Sequence, residues 1–211
     1  MTRRGRPRLQ ASPSGRGTRA DLLESAARLF ARDGFRASTH AIAEAAGVRQ
    51  ATLYHYFPNR EAILLTLLLQ TVEPTIAAAE KLATSNAPAP ARLWALAHLD
   101  AAQLAAGEVN LGALYLLPEI QTPHLEPFRI AWLDLREHYR TLVASCGGDD
   151  TACDLALGLV ESVILARRRN DGSPSTDPHR VADAVVLVAT GRPPTQIQRS
   201  LAADLIATLD G

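Results

Sequence analysis

The stretch from Ser38 to Phe57, STHAIAEAAGVRQATLYHYF, narrows the possible folds more than any other part of the chain. Ser38 or Thr39 is placed to cap a short helix over 40–47 whose inward face is Ile42, Ala43 and Ala46. Gly47 then supplies a corner that tolerates positive φ, and Val48 tucks beneath it. A second short helix runs from Gln50 through Leu53 to Phe57, and Pro58 ends it because proline disfavours helical geometry in the residue before it. Two helices that cross steeply over a short turn need a small residue at their closest approach, a turn former at the corner and apolar plugs on either side. Ala43, Gly47, Val48 and Leu53 meet those needs in order, which predicts a helix-turn-helix.

Helical periodicity extends through the rest of the chain. Thr18 reads as the cap of a helix carrying Leu22, Leu23, Ala26, Ala27, Leu29 and Phe30 on one side, with Gly34 as its stop. Asn59 can cap a long apolar helix to about residue 84, which Pro74 should kink or break. Further helices are expected at about 90–106, 108–119, 123–146, 149–170, 177–190 and 194–209, separated by Gly- and Pro-rich punctuation. No segment shows a convincing two-residue alternation, so the expected fold class is all-α. Residues 1–17 are rich in Arg, Gly, Pro and Ser and cannot bury enough apolar surface to offset the entropy of ordering, so they read as a flexible basic arm. Residues 18–58 form the predicted three-helix unit, and 59–211 a larger helical domain.

Charge divides along the same line. Residues 1–60 carry eleven Arg and no Lys against Asp21, Glu24, Asp33 and Glu44, a balance of +7, and the remainder of the chain carries −7. A basic module joined to an acidic one points the first toward a polyanion. Three of the ten Phe, Trp and Tyr residues fall within RQATLYHYFPNR, residues 49–60. If residues 50–56 lie in a major groove, Gln50 suits adenine, and Ala51 and the Thr52 methyl suit a thymine methyl. Tyr54, His55 and Tyr56 suit phosphates or base edges, and Arg60 stands at a helix start that itself favours an anion. The arm residues Arg3, Arg4, Arg6 and Arg8 are candidates for a narrow minor groove.

The framework T…IA..AGV…TLY.YF.NRE.IL, with the helix before it, resembles the N-terminal signature of the TetR family of bacterial transcriptional regulators over roughly residues 18–67. Arg60 stands where that family commonly has Lys, and Ala51 where many members have Gly or Pro. The resemblance implies an N-terminal three-helix DNA-binding domain followed by a ligand-binding and dimerisation domain. It supports the roles given to Gln50, Thr52, Tyr54, His55, Tyr56 and Arg60, and adds Thr39 and His40 as phosphate contacts. It further implies a repressor that binds a palindromic operator as a homodimer and is released by a small effector. The alternative is a DNA-binding regulator or architectural protein without a small-molecule sensor.

In the larger domain, 151–168 and 180–190 present wide Ala, Leu and Val stripes suited to a dimer contact. A ligand cavity needs apolar walls and a few polar anchors; the candidates are Trp94, His98, Gln103, Tyr115, Phe128 and Trp132, which suggest a largely apolar or aromatic effector. No glycine-rich phosphate loop, nucleophile motif or metal-ligand spacing stands out, so neither an enzyme nor a metal site nor a cofactor is expected. Cys146 and Cys153 without a disulfide framework fit a reducing cytosol. A polar N-terminus and the absence of an uninterrupted apolar run of about 18 residues argue against secretion and membrane insertion, which makes the expected location cytoplasmic.

Overall fold

The computed structural model describes residues 15–169 and 176–209, all of whose regular elements are helical. Nine α-helices follow in order: α1 Thr18–Asp33, α2 Thr39–Ala45, α3 Gln50–Tyr56, α4 Arg60–Ala83, α5 Ala89–Ala105, α6 Glu126–Ser145, α7 Asp150–Arg169, α8 Pro178–Thr190 and α9 Gln196–Leu209. Most of the expected arm, including Arg3, Arg4, Arg6 and Arg8, lies outside the described residues.

The first three helices bury a small dry core. Leu22, Leu23, Ala26 and Phe30 of α1 meet Ile42 and Ala43 of α2, Leu53 of α3 and Phe57 just beyond it. Gly47 turns the corner at φ 66°. Its N–H donates to Glu44 O at 2.9 Å and that of Val48 to Ala43 O at 2.9 Å, which satisfies carbonyls that a helix end would otherwise leave bare. Ser38 Oγ caps α2 by accepting from Ala41 N at 3.1 Å, and Asn59 Oδ1 caps α4 by accepting from Ala62 N at 2.8 Å. The expected cap at Thr18 shifts by one: Thr18 is already helical and Gly17 precedes it.

α4 joins this unit to the remainder. Its buried face, from Ile63 and Leu64 to Leu82, packs against α1, α5 and α6. Pro74 does not break the helix, which runs without interruption from Arg60 to Ala83. Proline offers no N–H to Gln70 O one turn earlier, and that carbonyl instead accepts from Gln103 Nε2 at 3.1 Å. By length and composition alone α4 reaches what a bilayer crossing needs, with a mean hydropathy of 1.6 over its most apolar window. Here one face of it serves the interior, the face that packs against α1, α5 and α6.

The second correction concerns 108–119. Instead of an α-helix, the chain makes three successive 3-10 segments, Leu111–Leu116, Pro118–Gln121 and Pro123–Leu125. Leu111, Leu114, Leu117 and Ile120 recur at a strict spacing of three, the period of a 3-10 helix and not of an α-helix. Contact with α7 enforces the path. A Cβ on Gly112 would lie 2.5 Å from Ile164 Cγ1, and Asn110 Nδ2 donates to Ile164 O at 2.8 Å.

Candidate nucleic-acid interface

α3 is amphipathic in the simplest way. Leu53 is fully buried, while Ala51, Tyr54, His55 and Tyr56 are exposed and Gln50 and Thr52 partly so. Large aromatic rings seldom remain in water without a use, yet Tyr54 and Tyr56 keep 49% and 41% of their surface exposed. The exposed ring of His55 stands edge-on to Tyr56, with centroids 5.3 Å apart. The candidate residues thus gather on one outward face of a short helix whose inner face is anchored by Leu53 and Phe57.

Thr39 sits in the first turn of α2, beside this face. Its Oγ1 accepts from Gln50 Nε2 at 3.1 Å and lies 3.1 Å from the Tyr54 hydroxyl. These contacts span the crossing and hold the two rotamers in place before any ligand arrives, which lowers the entropy lost when the face is used. His40 is exposed on the same turn as Thr39.

Arg60 stands at the start of α4 and also makes contacts within the protein. Its Nη1 donates to Phe35 O at 2.8 Å, and its guanidinium lies 4.1 Å from the centroid of the Phe35 ring. The side chain therefore clamps the start of α4 to the segment after α1, while about a third of it stays exposed beside Glu61. The planar fork suits a combined carbonyl and ring contact that a Lys ammonium would not reproduce. Arg19 makes a related contact with the Phe57 ring at 5.3 Å.

The six candidate ligand contacts do not converge on one place. Trp94 and His98 stack at 5.1 Å, with His179 4.4 Å from His98, and Trp94 Nε1 donates to Asp183 Oδ1 at 2.8 Å. Arg199 Nε donates to the same carboxylate at 2.9 Å. This group ties α5, α8 and α9 together. Burial and the neighbouring His179 lower the His98 pKa. Gln103 serves α4, as described above. Tyr115, Phe128 and Trp132 do meet, around a cleft of about 420 Å³ that Leu116, Ile120, Leu133, Arg129 and Glu161 also line.

Polar groups lie deeper behind this cleft than composition suggests. Asp100 is buried on α5; it accepts from Tyr139 OH at 3.0 Å and, at a long 3.5 Å, from Thr75 Oγ1. Burial pushes its carboxyl up to about 7, with Glu161 adding to the effect. Glu161 is itself raised by burial and accepts from Trp132 Nε1 at 3.2 Å. The Tyr115 hydroxyl lies 2.6 Å from Thr71 Oγ1 on α4. Sequence reasoning passed over Asp100, Glu161, Thr71 and Tyr139, because isolated polar residues on apolar helices carry no periodic signal. Among the described residues no group of three or more His, Cys, Asp or Glu side chains is placed to hold a metal ion.

Comparison with known proteins accords with this architecture. A family profile described as bacterial regulatory proteins, tetR family, matches residues 22–67. The HTH-type transcriptional regulator EthR of Mycolicibacterium smegmatis is 41% identical over 69 residues, 32% of each chain. The HTH-type transcriptional repressor KstR2 of Rhodococcus jostii is 36% identical over 81 residues, 38% of this chain and 40% of the relative. The chain thus matches well under half the length of these curated relatives. The crystal structure of AmtR from Mycobacterium smegmatis carries the likeness through the whole molecule: it is 39% identical, with a TM-score of 0.86 covering 94% of this chain and 98% of that one. With the helix-turn-helix in place and a relative matched almost end to end, the chain belongs to the tetR family of bacterial regulatory proteins.

Proposed function

We propose that the protein is a DNA-binding transcriptional repressor that reads a palindromic operator as a homodimer and releases it when a small effector binds the larger domain. The observation that carries this reading is the outward face of α3, where Gln50, Ala51, Thr52, Tyr54, His55 and Tyr56 stand on a buried Leu53 and are braced by Thr39. A face of that width fits a major groove, with tyrosine hydroxyls at its flanks for phosphates. His40 and the arm residues Arg3, Arg4, Arg6 and Arg8 would add salt-dependent contacts.

Pairing follows from the outer faces of α7 and α8. Leu155 and Leu165 on α7 and Leu187 on α8 are exposed, and a Cβ on Gly158 would meet open space. Residues 155, 158, 162 and 165 share one helical stripe, which a second copy would cover by two-fold symmetry. Such a dimer would hold two α3 helices about one turn of DNA apart, roughly 34–36 Å.

Release requires a path from the cleft to the head. Tyr115 provides one, since its ring packs on Phe128 at 5.2 Å and its hydroxyl meets Thr71 of α4, the helix that Arg60 clamps to the head. The 3-10 segment Leu111–Leu116 also touches α1 directly. To turn a 99:1 preference around, an effector needs roughly 5.5 kcal/mol of differential affinity for the released state.

The test is selection of bound duplexes from random DNA, followed by measurement of the mass of the complex. A palindromic consensus occupied by two chains is the expected result. Failure to bind any duplex at low ionic strength would overturn the reading.

A further inference from the structure

Among the described residues, Glu161 at the cleft and Asp100 behind it have no ion-pair partner. Glu161 lines the cleft from α7, and its one hydrogen-bond donor is the neutral indole of Trp132. Asp100 lies deeper on α5, faced by Thr75 of α4, Tyr115 of the 3-10 segment Leu111–Leu116, Tyr139 of α6, Glu161 of α7 and, through Tyr139, Cys153 of α7. Among the described residues no Arg, Lys or His forms an ion pair with either acid. Arg129 lines the same cleft, but its Nη1 donates at 2.8 Å to both Ile120 O and Thr122 O, so it is engaged with the 3-10 segments. Buried carboxyls without counter-charges hold their protons above the usual carboxylate range, and a cation entering beside them would favour their ionised form.

The walls point the same way. Tyr115 and Phe128 are in ring contact, and Trp132 stands beside Glu161 with its N–H turned to the carboxylate. Aromatic rings present negative faces, and with a carboxylate they form a lining that favours a desolvated cation over a neutral or anionic molecule of equal size. Leu116 and Leu133, exposed at 52% and 58%, form an apolar rim.

We propose that this cleft is the effector site and that its effector is a hydrophobic organic cation, the charge held by Glu161 with Asp100 behind it and the apolar body held by Tyr115, Phe128 and Trp132. The inference rests on the effector reading above and narrows it to one chemical class. It has a further consequence. A bound cation favours the ionised acids, so binding expels protons and strengthens as pH rises through about 7, where Asp100 gives up its proton.

Tetraphenylphosphonium is a suitable probe because it is apolar and permanently charged, so any pH dependence belongs to the protein. Tetraphenylborate is its anionic counterpart of matching shape. Isothermal titration of the full chain is expected to show phosphonium binding at least tenfold tighter at pH 8 than at pH 5.5, with proton release detected by changing the buffer. Tetraphenylborate should bind at least tenfold more weakly than the phosphonium. Glu161→Gln keeps the shape and the indole contact, and should lower phosphonium affinity at least tenfold without lowering Tm. Equal binding of the two ions, affinity independent of pH, or an unaffected Glu161→Gln variant would each overturn the proposal. If neutral apolar compounds release the operator while the phosphonium does not bind, the effector reading stands and the cationic assignment falls. If no compound of any charge binds or releases DNA, both fall.

Discussion

The head and the body of this molecule differ in which polar groups they show to solvent, although both bury some, Asp21 and Ser25 among them in the head. In the head, α1 to α3 surround an apolar core of Leu22, Phe30, Ile42 and Leu53, and the tyrosines and histidine of α3 stand in solvent. In the body, Asp100, Thr71 and Thr75 are buried among helices, and Tyr139 is fully enclosed. A unit that reads an outside partner gains from a rigid dry core beneath a displayed surface. In the body, low dielectric around these buried groups makes each charge count. The two regions nonetheless share one buried cluster, with α4 running between them.

The largest expected effect tests the interior polarity of the body. Asp100 keeps its proton to about pH 7 in the folded chain, against an ordinary value of 3.8. Its contribution to stability is therefore fully present at low pH and is lost as pH rises through about 7. Over that span the loss amounts to roughly 4 kcal/mol. Asp100→Asn retains an acceptor for Tyr139 and removes the titration, so its urea-derived stability should decline much less than that of the parent between pH 5 and 8. Parallel curves would place the polarity of the body elsewhere.

Next comes the dry core of the head. Leu53 has no exposed surface, and Leu53→Ala should cost about 2–5 kcal/mol in equilibrium unfolding and remove DNA binding with it. A loss below about 1 kcal/mol would mean that the head is far less tightly packed than its burial implies.

Two smaller substitutions sharpen the contrast between frame and surface. Ser38→Ala deletes the cap of α2 and should cost about 1 kcal/mol in the same unfolding experiment. Tyr54→Phe removes the hydroxyl near Thr39 from an exposed ring, so stability should change by no more than about 0.5 kcal/mol. Operator affinity should nonetheless fall several-fold in a fluorescence anisotropy titration. An unfolding loss without an affinity loss would make Tyr54 a structural residue and not a reading one.

Much of the head was legible in the sequence because its signals act within one or two turns. Ser38, Gly47 and Pro58 bound α2 and α3 through local backbone chemistry, and Leu53 and Phe57 show their inward positions by spacing. Arg60 was not legible in the same way. Its position at a helix start suggested an anion but gave no sign of the ring and carbonyl of Phe35, which only folding brings close. The candidate ligand contacts divided for a similar reason. Tyr115, Phe128 and Trp132 share a cleft, while Trp94 and His98 turn toward α8.

By itself the sequence determined the helical class, the helix-turn-helix and the exposed face of α3, all consequences of periodicity, caps and turns. Tertiary structure alone decided that α4 continues through Pro74, since the replacement donor Gln103 comes from another helix. It likewise decided that 111–125 coils as 3-10 segments under Ile164, and that Asp100 and Glu161 lie together behind an aromatic cleft. The physical reason is common to all three. Burial and the distance between groups remote in the chain are properties of helix packing, and no local preference encodes them.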